Sequence, residues 1–527
     1  MKGSQLTRSK FIKGASGTIA CAAAAGLTGG VVYAKADEAD AIAWEGEYDV
    51  IVAGAGLAGC AATITIAKEG DGATCLLVEK GEEPHGNSRY ALGAVVYVDD
   101  VAESMVYLNE LIGDATPADA IEALATGMSE NLEWIKSLGA KDEWLRVTQP
   151  DPTGTSTMEY PELPNDNYMG FFSFNSDGDS PQHVFNFLFD IVTAQESVTY
   201  LPSTPLERLI QDPDDGTILG IQANGKNYRA TRGVIVCTGG FEDDPEMLFT
   251  YTGVQGAKPY AGIGNTGDGI RACMKAGAGM WHMHGGAQYW MAVRDLANER
   301  FMSVVWNFTT KMHGITVGIN GRRFYQDYDG CACPSPYAEP DSNLSLNVGY
   351  RHGVTQFGGS WTHLPLPPKG WFVFDQAGLE AGAIPADLTS DPEGDGWALK
   401  ADSIEELAGL MEVPAEELAK TVNQWNAFCD TGEDLAFYRP ADTLTPIKTA
   451  PFYAMLCVPA MLNTDGGPIR SAAGEVLDPY NEPIPHLYSA GEMGSLWGHF
   501  YQGAGNLSEC LAFGRISARS ALSNQIG

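Results

Sequence analysis

The residues whose spacing first suggests chemistry are the glycines of Gly54-Ala55-Gly56-Leu57-Ala58-Gly59, followed by the carboxylate of Glu79. Glycine at positions 54, 56 and 59 allows a tight turn and lets backbone N–H groups approach a pyrophosphate at a helix N-terminus. Glu79 lies twenty positions after Gly59, where a carboxylate can accept both hydroxyls of a ribose. The motif is weak alone. Its setting decides whether it binds a dinucleotide.

That setting is a βαβ unit in the right order. Residues 48–53 (YDVIVA) read as a short buried strand that runs into the glycines, residues 60–68 as a helix, and residues 73–78 as a second strand ending at Glu79. Residues 233–237 form another buried-strand pattern ending in Thr238-Gly239-Gly240-Phe241, and residues 261–270 form a glycine-rich loop that carries Asp268. Near the other end, Leu487-Tyr488-Ser489-Ala490-Gly491-Glu492 reads as a strand and turn, and a helix is expected from about 506 to 520. Pieces of a dinucleotide fold thus stand at both ends. Between them, residues 280–445 are aromatic-rich with many prolines and glycines, and an amphipathic helix pair is expected around 403–430. The fold class is α/β, a Rossmann-like domain with an inserted α+β capping (substrate) domain. The expected division is a signal peptide at 1–36, a cofactor domain at 45–280 and 445–527, and the insertion at 281–444.

The 527 residues are 44% hydrophobic, enough for more than one domain with a core. Asp and Glu outnumber Lys and Arg by 67 to 32, and a formal charge of −35 would repel nucleic acid and anionic lipid. The acidity reads either as a solvated surface or as steering toward a basic electron-transfer partner. Residues 1–36 contain no acid: Lys2, Arg8, Lys10 and Lys13 precede an apolar stretch, and Ala34-Lys35-Ala36 offers an A-x-A cleavage site. The expectation is export to the periplasm or the exterior of the cell envelope. Thr7-Arg8-Ser9-Lys10-Phe11-Ile12-Lys13 resembles a twin-arginine signal with Ser9 in place of the second arginine, so the general secretion route stays open. Cys60, Cys75, Cys237 and Cys510 sit in apolar or glycine-rich contexts and are expected to be free core thiols. The chain has no CxxCH for haem and no CxxC set for a cluster or zinc, and Cys331-Ala332-Cys333 alone is weak.

Gly54 to Gly59, Asn87-Ser88-Arg89, Thr238-Gly239-Gly240, Thr266-Gly267-Asp268-Gly269 and Ala490-Gly491-Glu492, in that order, resemble the fumarate reductase and 3-ketosteroid dehydrogenase superfamily of flavoproteins. The resemblance implies non-covalent FAD. Gly54, Gly56, Ala58, Gly59 and Glu79 would hold the ADP half, Asn87, Ser88 and Asp268 would lie along the pyrophosphate and flavin, and Glu492 would take the ribityl chain. Gly239 and Leu507 complete the expected cofactor set. The chain departs from the dicarboxylate reductases of that superfamily: Tyr328 and Cys331 follow Gly321-Arg322-Arg323-Phe324 in place of an arginine, Asn463 stands near the expected histidine, and Tyr501-Gln502-Gly503-Ala504-Gly505-Asn506-Leu507 contains no arginine. A carboxylate clamp needs fixed cations.

What stands there instead, Tyr501-x-Gly503-x-Gly505, resembles the tyrosine-glycine pair of the ketosteroid dehydrogenases. There the hydroxyl and the glycine N–H address a ketone oxygen, an oxyanion hole for enolate charge. The resemblance implies hydride transfer from flavin N5 to an activated C=C bond of a neutral or aromatic enone or aryl-acrylate, with Tyr501 and Gly505 polarising the oxygen and either a second tyrosine, for which Tyr328 is the candidate, or a water supplying the proton. His499 is expected beside them. Residues 280–306, dense in Trp, Met, His and Tyr, read equally as cavity lining or as core packing. Electrons would come from an external carrier protein or a quinone. The alternatives are a 3-ketosteroid dehydrogenase working in the oxidising direction and a non-catalytic electron-transfer subunit, which has no need of an oxyanion hole.

Overall fold

The computed structural model describes residues 42–524 except 152, 154–157, 161–162, 261, 298–300, 305–312, 325–367, 385–387 and 499, and the side chains at 288–291 and 301–304. The expected signal segment, Tyr328, Cys331, Cys333, His499 and the Tyr289 and Trp290 side chains therefore lie outside the described residues.

β1 (Trp44–Ala53) runs into α1 (Leu57–Glu69), which returns the chain to β2 (Cys75–Val78). After α2 (Ala118–Ser137) come β3 (Val198–Leu201) and β4 (Lys226–Val236). A short α3 (Asp268–Lys275) leads to a second sheet that includes β5 (Gly286–Arg294), β6 (Ile315–Gly318) and β7 (Gly370–Asp375). The helix pair α4 (Ile404–Met411) and α5 (Ala415–Thr431) precedes β8 (Phe452–Thr464), and β9 (Pro483–Ser489) and α6 (Gly505–Ser523) complete the described elements.

The first sheet has a parallel centre in the order β9-β4-β1-β2-β3, with residues from both ends of the chain side by side. The inner ends of β1 and β2 are buried without alternation, as a parallel sheet covered on both faces requires. Val50, Val52, Cys75 and Leu77 face the core that holds α1, α2 and α6. Ile51, Ala53, Leu76 and Val78 face the opposite core, with Val234, Val236 and Ile270. Gly54 leaves β1 at φ 103°, a conformation that disfavours any side chain, and a Cβ on Gly59 would run into the Gly54 carbonyl oxygen. These two glycines let α1 start directly behind the strand.

In the second sheet β8 is central, pairing with both β5 and β7. Its length carries the sheet through Thr464, past the boundary expected at residue 444. A buried apolar strand has the same pattern in either sheet, so sequence alone could not assign it. One face of this sheet packs on the helix pair through Leu407, Met411, Leu418, Val422 and Trp425, the apolar stripe expected at helical spacing. Ser403 caps α4 by accepting from Glu406 N at 3.1 Å, and Gly432 ends α5 in the left-handed region. The end of β8 delivers Leu462, Asn463 and Thr464 to the first sheet.

Candidate active site

A cleft opens where β1, β4 and β9 end. Of the eleven residues expected to hold the cofactor, nine line it: Gly54, Gly56, Ala58, Glu79, Asn87, Ser88, Gly239, Asp268 and Glu492. Gly59 is buried beneath the loop. Leu507 sits in the first turn of α6 and packs in the core that covers α1.

At the outer end, the Glu79 carboxylate accepts from Ala55 N and from Gly81 N, each at 2.9 Å. Two backbone bonds fix its direction and leave lone pairs for ribose hydroxyls. Leu57 N, in the first turn of α1, donates to Ser88 Oγ at 3.0 Å, so a hydroxyl meets the positive helix end that suits a phosphate. Lys80 Nζ reaches Asp268 Oδ2 and Thr266 Oγ1, both at 2.7 Å. The glycine turn, the helix N-terminus and the oriented carboxylate fit the ADP half of FAD.

The inner end is different in kind. Asn87 Nδ2 donates to Glu242 Oε1 at 2.5 Å and to Leu462 O at 2.8 Å, and lies 3.2 Å from Glu492 Oε2. Thr464 N donates to Glu492 Oε1 at 3.1 Å, and Asn265 Nδ2 donates to Glu242 Oε1 at 2.5 Å. Glu242, completely buried, and Glu492, on the cleft wall, thus belong to one polar cluster. Removal from water raises both above the usual carboxylate range, and for Glu492 the Glu242 charge adds to it. Carboxyls coupled in this way titrate as a pair. Sequence reasoning missed Glu242 and Asn265, although Glu242 follows the marked Gly239-Gly240-Phe241 turn.

Beyond Glu492 lies the turn that carries Tyr501. The phenol is buried, its hydroxyl is approached by the backbone N–H groups of Asn506 and Ala504, and burial pushes its ionisation upward. The turn is pinned from outside. Gln502 Oε1 accepts from Tyr107 Oη at 2.7 Å and from Glu159 N at 3.0 Å, while Gly503 N donates to Glu159 Oε2 at 2.8 Å. Gly505 N, expected to point at a substrate oxygen beside Tyr501, instead donates to Gln502 O at 2.7 Å. The cause is local: Ala504, the residue before α6, adopts φ 68° and closes the turn. His282, from the aromatic segment, is buried with its ring nitrogens 2.7 Å from Ser495 O and 3.0 Å from Ala115 O, and Trp281 stacks on it at 4.5 Å. Here that segment supports the Tyr501 turn by packing.

Cys60, Cys75, Cys237 and Cys510 are buried free thiols, as expected from their contexts. Among the described residues no group of His, Cys, Asp and Glu could hold a metal ion, and no helix is long and apolar enough to cross a membrane.

A parallel sheet with a glycine turn, an oriented acid and a deep polar cleft at the strand ends defines a dinucleotide-dependent oxidoreductase. Residues 49–507 match the FAD binding domain family, to which this chain belongs. It is 26% identical to a 3-oxosteroid 1-dehydrogenase of Mycolicibacterium smegmatis, over 90% of this chain and 96% of the relative. It is 25% identical to a vinyl phenol reductase of Lactiplantibacillus plantarum, over 90% and 95% of the two chains. An open-form flavocytochrome c3 fumarate reductase shares the fold at a TM-score of 0.65 and 21% identity, over 92% of this chain and 80% of that one. The cofactor is FAD, and the protein is an FAD-dependent oxidoreductase of the kind that acts on CH–CH and C=C bonds.

Proposed function

We propose that this chain is an exported reductase of activated C=C bonds, taking a neutral or aromatic enone or an aryl-acrylate. The observation that carries the reading is Tyr501: a buried phenol on a turn fastened by Glu159, Gln502 and Tyr107. Bound FAD supplies the hydride chemistry. Tyr501 donates to the substrate's carbonyl oxygen and stabilises the enolate charge that grows there, which a hydroxyl fixed in a dry site does well. The Gly505 N–H joins it by exchanging its bond to Gln502 O for one to the substrate. Tyr328 supplies the proton at the α-carbon. Residues 281–444, with the second sheet and the α4–α5 pair, cap the site and hold the substrate's far side.

Among the described residues, the two cations that line the cleft, Lys80 and Arg89, are already paired with Asp268 and Glu83, so those two form no clamp for a dicarboxylate. The vinyl phenol reductase relative, which also reduces, supports this direction. Electrons reach the enzyme from an external carrier protein or a quinone at the periplasmic or outer side of the envelope. The steroid-dehydrogenase relative supports a second reading, oxidation of a 3-ketosteroid with electrons passed outward.

The deciding experiment is anaerobic: reduce the holoenzyme with a viologen dye and follow dye reoxidation by fumarate, urocanate, hydroxycinnamates and steroid enones. Rapid reoxidation by neutral or aryl enones with none by fumarate is the expected result. Reoxidation by fumarate would overturn the proposal. Silence across the panel, together with steroid-dependent reduction of an added acceptor, would replace it with the dehydrogenase.

A further inference from the structure

Asp465 follows β8 and precedes Gly466-Gly467. Its backbone is fixed on both sides, with Asp465 N donating to Gly285 O at 3.0 Å and Ser495 N donating to Asp465 O at 2.9 Å. One side-chain oxygen, Oδ1, accepts from Asn463 Nδ2 at 3.0 Å. The other, Oδ2, has no hydrogen-bond partner, and the residue is completely buried. Buried polar atoms are rarely left so.

Two neighbours show what this oxygen faces. A Cβ on Gly285 would lie 3.1 Å from Asp465 Oδ2 and would run into the carbonyl of Gly498, which places the free oxygen beside the segment leading to Tyr501. On the other side, the preceding Thr464 N–H binds Glu492, a wall residue of the FAD cleft. Asp465 therefore stands between the inner wall of the cleft and the Tyr501 turn.

No described cation neutralises it. Arg470, the completely buried guanidinium of this region, gives Nη2 to the carbonyls of Gly491, Met493 and Gly494 and places Nη1 3.2 Å from Glu509 Oε1. Burial, with the Glu509 and Glu242 carboxyls nearby, pushes Asp465 well above the usual carboxylate range. That environment favours the neutral acid, and Oδ2 meets no hydrogen-bond acceptor among the described residues.

We propose that Asp465 is a further functional residue of this site, a carboxylic acid that donates a hydrogen bond to a carbonyl oxygen of either the bound isoalloxazine or the substrate beside it. The substrate alternative rests on the function proposed above. The flavin alternative rests only on FAD binding.

The test compares Asp465→Asn, which keeps a donor, with Asp465→Leu, which removes it at similar volume, both as holoenzymes. If the acceptor belongs to the flavin, D465L shifts the flavin absorption spectrum and midpoint potential and leaves KM for the enone unchanged. If it belongs to the substrate, D465L leaves spectrum and potential alone and lowers kcat/KM by about tenfold, the scale of one lost hydrogen bond in a buried site. In either case D465N restores most of the loss. The inference is overturned if D465L matches the wild type in all four quantities, or if D465N is impaired as severely as D465L. Should D465L fail to fold, infrared difference spectra of the wild-type holoenzyme on flavin reduction decide the matter. A protonated-carboxyl band absent from D465N is expected, and a wild-type spectrum without that band would refute the proposal. Spectrum, potential and infrared bands remain readable even if no enone is reduced, so failure of the functional reading leaves this one testable.

Discussion

At its outer end the cleft meets a ligand with backbone N–H groups, a helix terminus and charges already paired near the surface. At its inner end Glu492 lines the wall, with the buried carboxyls of Glu242 and Asp465 behind it and Arg470 committed to Glu509 and to backbone carbonyls. The outer end binds an anion by geometry that many sequences could supply. The inner end has gathered carboxyl groups where water solvates them poorly, and the low dielectric favours their neutral forms. Such groups act as hydrogen-bond donors as well as acceptors. The difference separates holding the cofactor from setting the chemistry around it.

Three experiments press on that separation. The largest effect is expected at the outer end, with Gly59→Val. Its side chain would run into the Gly54 carbonyl, so flavin absorbance per chain should fall to near zero and the unfolding free energy from denaturant titration should drop by an amount on the order of 3 kcal/mol. A variant with full flavin content would show that the glycine turn does not govern binding. Next comes Tyr501→Phe at the inner end, which should keep its FAD and lose roughly 10²–10³ in kcat, the usual consequence of removing one oxyanion donor. Turnover at the wild-type rate would remove Tyr501 from the mechanism. The smallest effect concerns the coupled carboxyl pair. Glu242 and Glu492 are raised above the ordinary glutamate value in the folded state, so above about pH 4.5 the folded protein binds more protons than the unfolded chain. Their contribution to the stability of the FAD-free protein is full at or below that pH and is lost as pH rises through the folded values. Urea midpoints of Glu492→Gln should therefore fall less steeply between about pH 5 and pH 8 than those of the wild type. Parallel slopes would mean that the pair is not coupled.

How far each end could be read from the sequence follows the same division. The βαβ unit, the glycine turn and Glu79 were legible because their requirements are local: a strand, a tight turn and an acid at fixed offsets within one stretch of chain. The α4–α5 pair was legible from its apolar spacing. Glu242, Asn265 and Asp465 were not, because their roles come from contacts across the chain; Asn87 reaches Glu242 over 155 positions and Glu492 over 405. No periodicity marks such a meeting. At the Tyr501–Gly505 stretch, the direction of the Gly505 N–H depends on the left-handed Ala504, which an alanine does not advertise.

The parallel order β9-β4-β1-β2-β3 has a consequence for biosynthesis. The first turn of the cleft is translated early, but its facing wall, Ala490, Gly491, Glu492 and Cys510, follows far behind it, with Glu492 405 positions after Asn87. A nascent chain can shape the ADP loop and still lack half of the pocket. Flavin capture therefore waits for β9, and a ribosome stalled before that strand would display a chain unable to retain the cofactor.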